Sequence, residues 1–243
     1  SDAEVGDRFG KSVSIDGDHA IVGAASNDDA GTTSGSAYIF SRSGTTWNQQ
    51  AKLTASDAAA SDHFGFSVSI SGNYAMVGAI GDVVAGDDNG SAYVFSRSST
   101  TWTEKAKLTA SDAAEFDYFG ASVSISGDYA IVGALDNDEA ANNSGSAYLF
   151  SRSGTTWSQQ AKLTASDAAE FDNFGNSVSM SGDHAIVGAY RNDDDGNDSG
   201  SAYVYTDLTP TPLIELSTAA LFMGTMSPGV TRLDSVKVKN AGT

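Results

Sequence analysis

The chain has 243 residues, of which 40% are hydrophobic, so it is expected to fold and to bury a sizeable core. Its 31 acidic and 13 basic residues give a formal net charge of −18, which excludes the basic surface that nucleic acids and anionic membranes require. The absence of cysteine excludes disulfide bonds and thiolate zinc sites, and no apolar run approaches the roughly 18 residues of a membrane span.

The first repeat unit contains four short strand patterns and no amphipathic helix. Residues 12–15 alternate polar and apolar side chains, which predicts a half-buried strand, and residues 16–18 predict a tight hairpin turn. Residues 20–24 are short and apolar, as in a strand covered on both faces. After a polar loop of about ten residues, segments 36–41 and 45–53 predict the third and fourth strands.

This pattern occurs four times at a constant spacing of 55 residues. A Phe-Gly pair begins at Phe9, Phe64, Phe119 and Phe174. A Val-Gly-Ala triplet is centred on Gly23, Gly78, Gly133 and Gly188. Because no insertion or deletion separates the copies, equivalent residues are expected to occupy equivalent places in space. The repeats are assigned to residues 1–55, 56–110, 111–165 and 166–208.

Four short strands in a unit of this length are typical of one blade of a β-propeller. A single four-stranded sheet cannot bury both faces, whereas blades packed around an axis do so. Gly23 and its equivalents are expected where blades approach closely, because glycine weakens a strand unless packing requires it. The sequence therefore predicts an all-β fold, a β-propeller-type array of four 55-residue, four-stranded repeats with a C-terminal β tail.

The repeated motifs resemble those of the FG-GAP repeat family, which includes the propeller of integrin α-subunit heads and many bacterial extracellular proteins. The resemblance rests on Phe9-Gly10, on residues 21–24 and 35–38, and on their later copies. It implies an extracellular or cell-surface location. Integrin-like members carry a calcium loop before a Gly-Ala-Pro sequence, but here that place holds a short turn, as at residues 126–129, and the proline is absent. The family's calcium site therefore does not transfer.

The repeat pattern stops after Tyr205, and residues 209–243 read as a proline-containing linker followed by strands. Segments 213–216 and 234–240 are strand-like and resemble the opening of an immunoglobulin-like domain of surface proteins. So few strands cannot fold alone. They need a partner, which is either the free edge of the fourth repeat or another chain, so residues 213–239 are a candidate for self-association.

The best candidate for a metal site is the acidic loop after each Val-Gly-Ala triplet. Oxygen-rich loops with a central glycine suit calcium, which takes six to eight oxygen ligands. The predicted ligands are Asp193, Asp194, Asp195 and Asp198 in the fourth copy and Asp28 and Asp29 in the first. The alternative is a solvated turn, because aspartate, asparagine and glycine dominate turns in any case.

The other polar residues recur too strictly to suggest catalysis. An aspartate stands two residues before each phenylalanine, at Asp7, Asp62, Asp117 and Asp172, where a structural role in turns or lysine pairing is expected. His19 and His184 share their repeat position with tyrosines, which indicates a packing or surface site. Catalysis usually needs one asymmetric polar cluster, and none is visible, so the chain is predicted not to be an enzyme.

The leading hypothesis is an extracellular, non-catalytic binding or adhesion module that presents its acidic loops on a rigid propeller to a protein or glycan ligand. The alternative is a structural subunit of a surface filament or layer, assembled by strand exchange through the tail. A hydrolase is the third hypothesis, and a single polar pocket in the structure would favour it.

Overall fold

The computed structural model describes residues 4–84, 87–194, 196–206, 208 and 235–238. These residues contain no helix, and their strands form four antiparallel four-stranded sheets, one for each repeat. The sheets are called blades 1 to 4 below. The predicted all-β propeller array is therefore confirmed.

The strand bounds repeat from blade to blade. Blade 1 contains β1 (Phe9–Asp16), β2 (His19–Ala24), β3 (Ser36–Ser43) and β4 (Thr46–Leu53). Blade 2 contains β5 (Phe64–Ser71), β6 (Tyr74–Ala79), β9 (Ser91–Ser98) and β10 (Thr101–Leu108), with a small hairpin of β7 (Val83–Val84) and β8 (Asp87–Asp88) in its loop. Blade 3 contains β11 (Phe119–Ser126), β12 (Tyr129–Ala134), β13 (Ser146–Ser153) and β14 (Thr156–Leu163). Blade 4 contains β15 (Phe174–Ser181), β16 (His184–Ala189), β17 (Ser201–Tyr205) and β18 (Ser235–Val238).

Each blade is a meander in which successive long strands pair antiparallel. The tight turns predicted from the Asp-Gly and Ser-Gly sequences join the first two strands, as Asp16 pairs with His19 in blade 1. A register shift follows the phenylalanine at the start of every first strand, as between Phe9 and Ser12. Such a bulge bends the strand and is retained wherever the sequence repeats.

The core lies between successive blades, in contact regions that we call seams. In the seam of blades 1 and 2, Ile21 and Ile39 pack in one apolar cluster with Val68 and Ile70. Within each blade an edge-to-face aromatic group extends this core, as where Phe64 lies 5.5 Å from Tyr93 and 6.0 Å from Phe95 between ring centroids. The four sheets thereby bury faces that no single sheet could cover.

The glycine of the Val-Gly-Ala triplet is required by the seam. A Cβ atom on Gly23 would lie 2.0 Å from the carbonyl oxygen of Gly65 in the next blade, and Gly78 and Gly133 face the same obstruction. The prediction that these glycines lie where blades approach closely is therefore correct, and an alanine there would push two sheets apart.

The first strands of all four blades line one open pocket of about 420 Å³. Lys11, Ser67, Ser122 and Ser177 contribute to its wall, one from each blade. The first strand is thus innermost and the fourth strand outermost, as in a propeller.

The outermost strand of blade 4 comes from the C-terminal tail. Residues 235–238 pair antiparallel with β17, and Lys237 stands opposite Tyr203 in the register that Lys162 holds opposite Tyr148 in blade 3. The structure thus places this tail strand on the free edge of the fourth repeat. The predicted strand at 213–216 and the immunoglobulin-like character of the tail lie outside the described residues.

Candidate functional site

All the acidic loops gather at one edge of the array, which we call the loop rim. The loop from the second to the third strand and the connection from the fourth strand to the next blade both lie there, because each blade is an up-and-down meander. In blade 1 these segments are residues 25–35 and 54–63. The two tight turns of each of blades 1 to 3, and the tight turn between β15 and β16 of blade 4, lie at the opposite edge. The constant period therefore aligns equivalent loops side by side, as predicted.

A buried aspartate anchors the loop rim of every blade. Asp62 accepts a hydrogen bond from the backbone N–H of Ala59 at 2.6 Å, and Asp7, Asp117 and Asp172 do the same three residues back along the chain. All four are nearly fully buried. The structural role expected for them is thus observed, through a backbone hydrogen bond that fixes the turn.

In three blades a buried asparagine donates to this aspartate. The amide Nδ2 of Asn137 lies 2.9 Å from Asp117 Oδ2, while its Oδ1 accepts a hydrogen bond from Ser146 Oγ at 2.8 Å. Asn27 and Asn192 make the same two bonds in blades 1 and 4. Each amide thus satisfies a buried carboxylate and a buried hydroxyl.

The predicted calcium ligands hold their own loops together. The Oδ1 of Asp28 accepts the N–H of Thr33 at 2.6 Å, and the Oδ1 of Asp193 accepts the N–H of Asp198 at 2.7 Å. Asp29 forms a salt bridge with Lys52. Asp194 and Asp198 are exposed, and Asp195 lies outside the described residues.

Among the described residues, no group of three or more histidine, aspartate or glutamate side chains converges closely enough to hold a metal ion. Calcium binding by these loops stays a prediction. In the described part of the chain no helix is long and apolar enough to cross a membrane.

The loops also cover the phenylalanine of the following blade. The N–H of Phe64 donates to the carbonyl of Ser34 at 3.0 Å, and the N–H of Phe174 donates to that of Ser144 at 2.9 Å. Phe64 and Phe174 are fully buried as a result. The acidic loops therefore form part of each seam, in addition to the surface they present to solvent.

Two exposed phenylalanines, which the sequence motifs did not single out, stand on the loop rim. Phe116 is 51% exposed and Phe171 is 47% exposed, and both have left-handed backbones, with φ of 66° and 67°. Their N–H groups donate to loop carbonyls of the preceding blade, those of Asp88 and Asn142. The other two copies carry Gly6 and Ser61 at this position. That departure from an otherwise strict repeat was the available signal.

A third exposed aromatic residue, Tyr190, lies at the loop rim of blade 4, with 48% of its surface exposed. The guanidinium of Arg191 lies 5.2 Å from its ring centroid. The rim thus combines acidic loops with aromatic rings, two properties that recur at protein interfaces.

Blade 2 holds a polar cluster that the other blades do not reproduce. Asp82 stands at the position that holds an asparagine in the other three repeats. Its Oδ2 lies 2.7 Å from Lys107 Nζ and 3.0 Å from Tyr93 Oη. Lys107 also pairs with Asp57 at 2.7 Å. Two carboxylates, those of Asp57 and Asp82, therefore share one ammonium group, which also acts on the nearby Asp62 through its charge.

The electrostatics of this cluster follow from burial and from its one cation. Burial raises the pKa of Asp62; the N–H of Ala59 opposes that shift, and the Asp82 carboxylate adds to it. Burial acts to raise the pKa of Asp57 as well, but hydrogen bonds from Lys107 and Tyr93 outweigh it and hold the pKa below its usual range. Burial and the two carboxylates raise the pKa of Tyr93, so it stays a neutral donor.

The fold and the rim define the class of this protein, a repeat protein built from β-propeller blades. The FG-GAP repeat model matches residues 1–40, 47–95, 102–150 and 157–205. The chain therefore belongs to the FG-GAP repeat family.

No curated protein matches the chain. Among solved structures it is similar to the crystal structure of TolB from Acinetobacter baumannii, with 13% sequence identity and a TM-score of 0.43. The match covers 80% of this chain and 40% of the length of that structure.

Proposed function

We propose that the chain is an extracellular, non-catalytic binding module that uses its loop rim to hold a protein ligand with a basic surface. The FG-GAP propeller fold is consistent with a binding or structural module. Family resemblance supports the extracellular location, and the absence of catalysis stays a prediction from the repetition of most polar residues in the sequence.

The exposed phenylalanines carry this proposal. A left-handed backbone costs roughly 1–2 kcal/mol for a residue with a side chain. Copy 1 avoids that cost with Gly6, and copy 2 pays it for a small polar Ser61. Phe116 and Phe171 accept the cost while leaving half of the ring in water. Strained, exposed aromatic residues are typical of binding surfaces, where the ligand supplies the missing contacts.

The charge of the rim selects the partner. Asp28, Asp138, Asp193 and Asp198 all lie on these loops, and the whole chain carries a net charge of −18. Opposite charge steers association and favours lysine-rich or arginine-rich surfaces. An aromatic rim also suits stacking against sugar rings, so a glycan ligand is the competing outcome.

The test compares peptide binding by the native chain and by a variant with Phe116→Ser and Phe171→Ser. Serine is the chain's own residue at position 61, so folding is expected to be preserved. The probes are decalysine and a peptide that alternates lysine with phenylalanine, measured by biolayer interferometry at low and high salt. The native chain should bind the second peptide about tenfold more tightly, a preference of roughly 1.4 kcal/mol, and both should weaken with salt.

The double variant should bind both peptides equally. Trp47→Ser, which removes a partly exposed ring at the edge opposite the loop rim, serves as the control for general surface change. Equal binding of both peptides by the native chain would contradict the role of the phenylalanines. Binding to a glycan array with none to the basic peptides would replace the protein ligand with a sugar.

Calcium binding by the fourth loop is a separate proposal, supported by the exposed carboxylates of Asp194 and Asp198. Isothermal titration with calcium, on the native chain and on Asp194→Asn with Asp198→Asn, tests it. Heat that the double variant loses would support the site. If calcium gives no heat with either chain, the acidic loops are solvated turns that contribute to the seams and do not bind calcium.

A structural subunit assembled by strand exchange is the second candidate, favoured by one observation. Residues 235–238 complete blade 4 in register, and the same strand donated by a neighbouring chain would make identical backbone bonds. Truncation after residue 208 should then abolish assembly. An assembly that survives the truncation would contradict strand exchange.

A further inference from the structure

The two ends of the array present uncovered sheet faces. The front face of blade 1 is formed by Phe9, Val13 and Ile15, which are 53%, 69% and 66% exposed. The back face of blade 4 is formed by Ile186, Gly188 and Val204, and Ile186 is 42% exposed. Equivalent residues in the interior are almost fully buried. Both faces are apolar surfaces built like the inside of the protein.

These two faces are the two halves of one seam. Inside the chain, the front face of each blade packs on the back face of the blade before it. Met76 and Val94 of blade 2 pack with Val123 and Ile125 of blade 3 in this way. Blade 1 offers the front half of such a seam, and blade 4 offers the back half.

The polar contacts of the seam repeat as exactly as the apolar ones. A serine Oγ donates to a glycine carbonyl of the next blade, at 2.9 Å from Ser12 to Gly65 and at 2.7 Å in the other two seams. A second serine Oγ accepts a backbone N–H of the next blade, at 3.2, 3.1 and 2.9 Å in the three seams. On blade 4 the equivalent hydroxyls are those of Ser177 and Ser179, and both residues are exposed.

The shape of the back face agrees with its polar pattern. A Cβ atom on Gly23, Gly78 or Gly133 would collide with a glycine carbonyl of the next blade. A Cβ atom on Gly188 would meet only Ser177 of its own blade. The back face at Gly188 therefore leaves open the space that a glycine carbonyl of the next blade fills in the three other seams.

We propose that the chain binds a second copy of itself head to tail, with the front face of one copy seated on the back face of the other. Ser177 Oγ then donates to the Gly10 carbonyl of the second copy, and Ser179 Oγ accepts the N–H of Ile15. Each seam joins a front face to a back face, and two copies that make both seams close into one two-fold symmetric ring of eight blades. That number lies within the usual range of about four to eight for propellers.

The first experiment measures the mass of the full chain by sedimentation equilibrium over a wide range of concentration. A mass of twice 24.9 kDa that falls to the monomer on dilution is expected. Val13→Lys and Ile186→Lys each bury a charge in the new seam, and each should weaken association by at least about tenfold. Val83→Lys is the matched control, since Val83 is 51% exposed on the loop rim, and it should associate like the native chain.

Mixing distinguishes a front-to-back seam from a front-to-front or back-to-back contact. The Val13→Lys chain keeps its back face and the Ile186→Lys chain keeps its front face, so an equimolar mixture can form one intact seam. A dimer in the mixture, with monomers in each separate sample, is the expected result. If Ile186→Lys fails to fold, Ser179→Lys replaces it, because Ser179 is exposed.

Three results would overturn the proposal. One is a native chain that stays monomeric at every concentration. Another is a dimer that both lysine variants form as tightly as the native chain. The third is a mixture that remains monomeric although each variant is folded by circular dichroism, since an intact front face and an intact back face would then have failed to join.

Discussion

Blades 2 and 3 share their strands, turns and aromatic core, yet the lysine at each loop rim pairs with a different acidic residue. In blade 3, Asn137 donates to the buried Asp117, and Lys162 pairs with Glu139, which lies in the exposed loop. In blade 2, the loop residue equivalent to Glu139 is Val84, and the acid stands two residues earlier, as the buried Asp82. Lys107 forms a salt bridge with this buried carboxylate.

A single change from an amide, Asn137 in blade 3, to a carboxylate, Asp82 in blade 2, alters the hydrogen bonds of the loop rim. Asp82 cannot donate to Asp62, so blade 2 loses a hydrogen bond that the other blades have. In the described structure the buried Ser91 Oγ and Asn89 Oδ1 of blade 2 have no hydrogen-bond partner, whereas Ser146 donates to Asn137 in blade 3. Burying unpaired polar atoms costs free energy, so the loop of blade 2 is expected to be less stable at neutral pH than the loop of blade 3, whose unpaired Arg152 Nε and Trp157 Nε1 lie away from the loop rim.

Removing the lysine should give the largest difference in stability between the two blades. Lys107→Met leaves buried Asp82 without a cation, and we expect a loss of about 3 kcal/mol in the free energy of unfolding. Lys162→Met leaves Asp112 and Glu139, which are largely exposed, and should cost no more than about 1 kcal/mol. Urea denaturation of both variants at pH 7 measures the difference. Equal losses would show that Asp82 is not desolvated as the structure indicates.

Exchanging the amide and the carboxylate should have the second largest effect on the free energy of unfolding. Asn137→Asp places a second carboxylate beside Asp117 while Lys162 is already paired with Asp112 and Glu139, and a loss of about 2 kcal/mol is expected. Asp82→Asn together with Val84→Glu gives blade 2 the pattern of blade 3 and should gain about 1 kcal/mol. Thermal and urea unfolding of the two variants test this. A loss of stability in the second variant would contradict the assigned roles.

The pH dependence should sharpen the same comparison. The pKa of Asp62 is raised in the folded chain, so folded Asp62 binds its proton more tightly than unfolded Asp62 does. Its contribution to stability is present below the unfolded pKa and is lost as the pH rises through the folded pKa. Asp82→Asn removes the neighbouring carboxylate, so stability should fall less between acid and neutral pH. Parallel curves for the variant and the native chain would rule out coupling between the two carboxyl groups.

The smallest effect is expected at the exposed position where blade 2 has Ser61 and blade 3 has Phe116. Phe116→Ser removes a half-exposed ring but places a smaller side chain on a left-handed backbone, so stability should change by less than about 1 kcal/mol. Ser61→Phe is the reverse exchange and should cost a similarly small amount. A loss of several kcal/mol in Phe116→Ser, measured by urea unfolding, would show that the ring is a core residue.

Much of the fold could be predicted because the repeat is exact. The period-2 pattern of residues 12–15, the Asp-Gly-Asp turn at 16–18 and the glycine of the Val-Gly-Ala triplet each depend on local sequence or on a steric rule, and each is found as predicted. The candidate site was predicted in part. The acidic loops do share one rim, but the exposure and left-handed backbone of Phe116 and Phe171 depend on the neighbouring blade and could not be read from composition.

The sequence by itself determined the number of blades, their strands and turns, and the alignment of their loops, because a fixed 55-residue period forces equivalent residues into equivalent places. Tertiary structure alone decided which groups meet across blades and loops. It paired Lys107 with Asp82, placed residues 235–238 on the edge of blade 4, and left the first and last faces uncovered. The physical reason is that burial and partner choice depend on the packing of distant segments, which a local pattern does not contain.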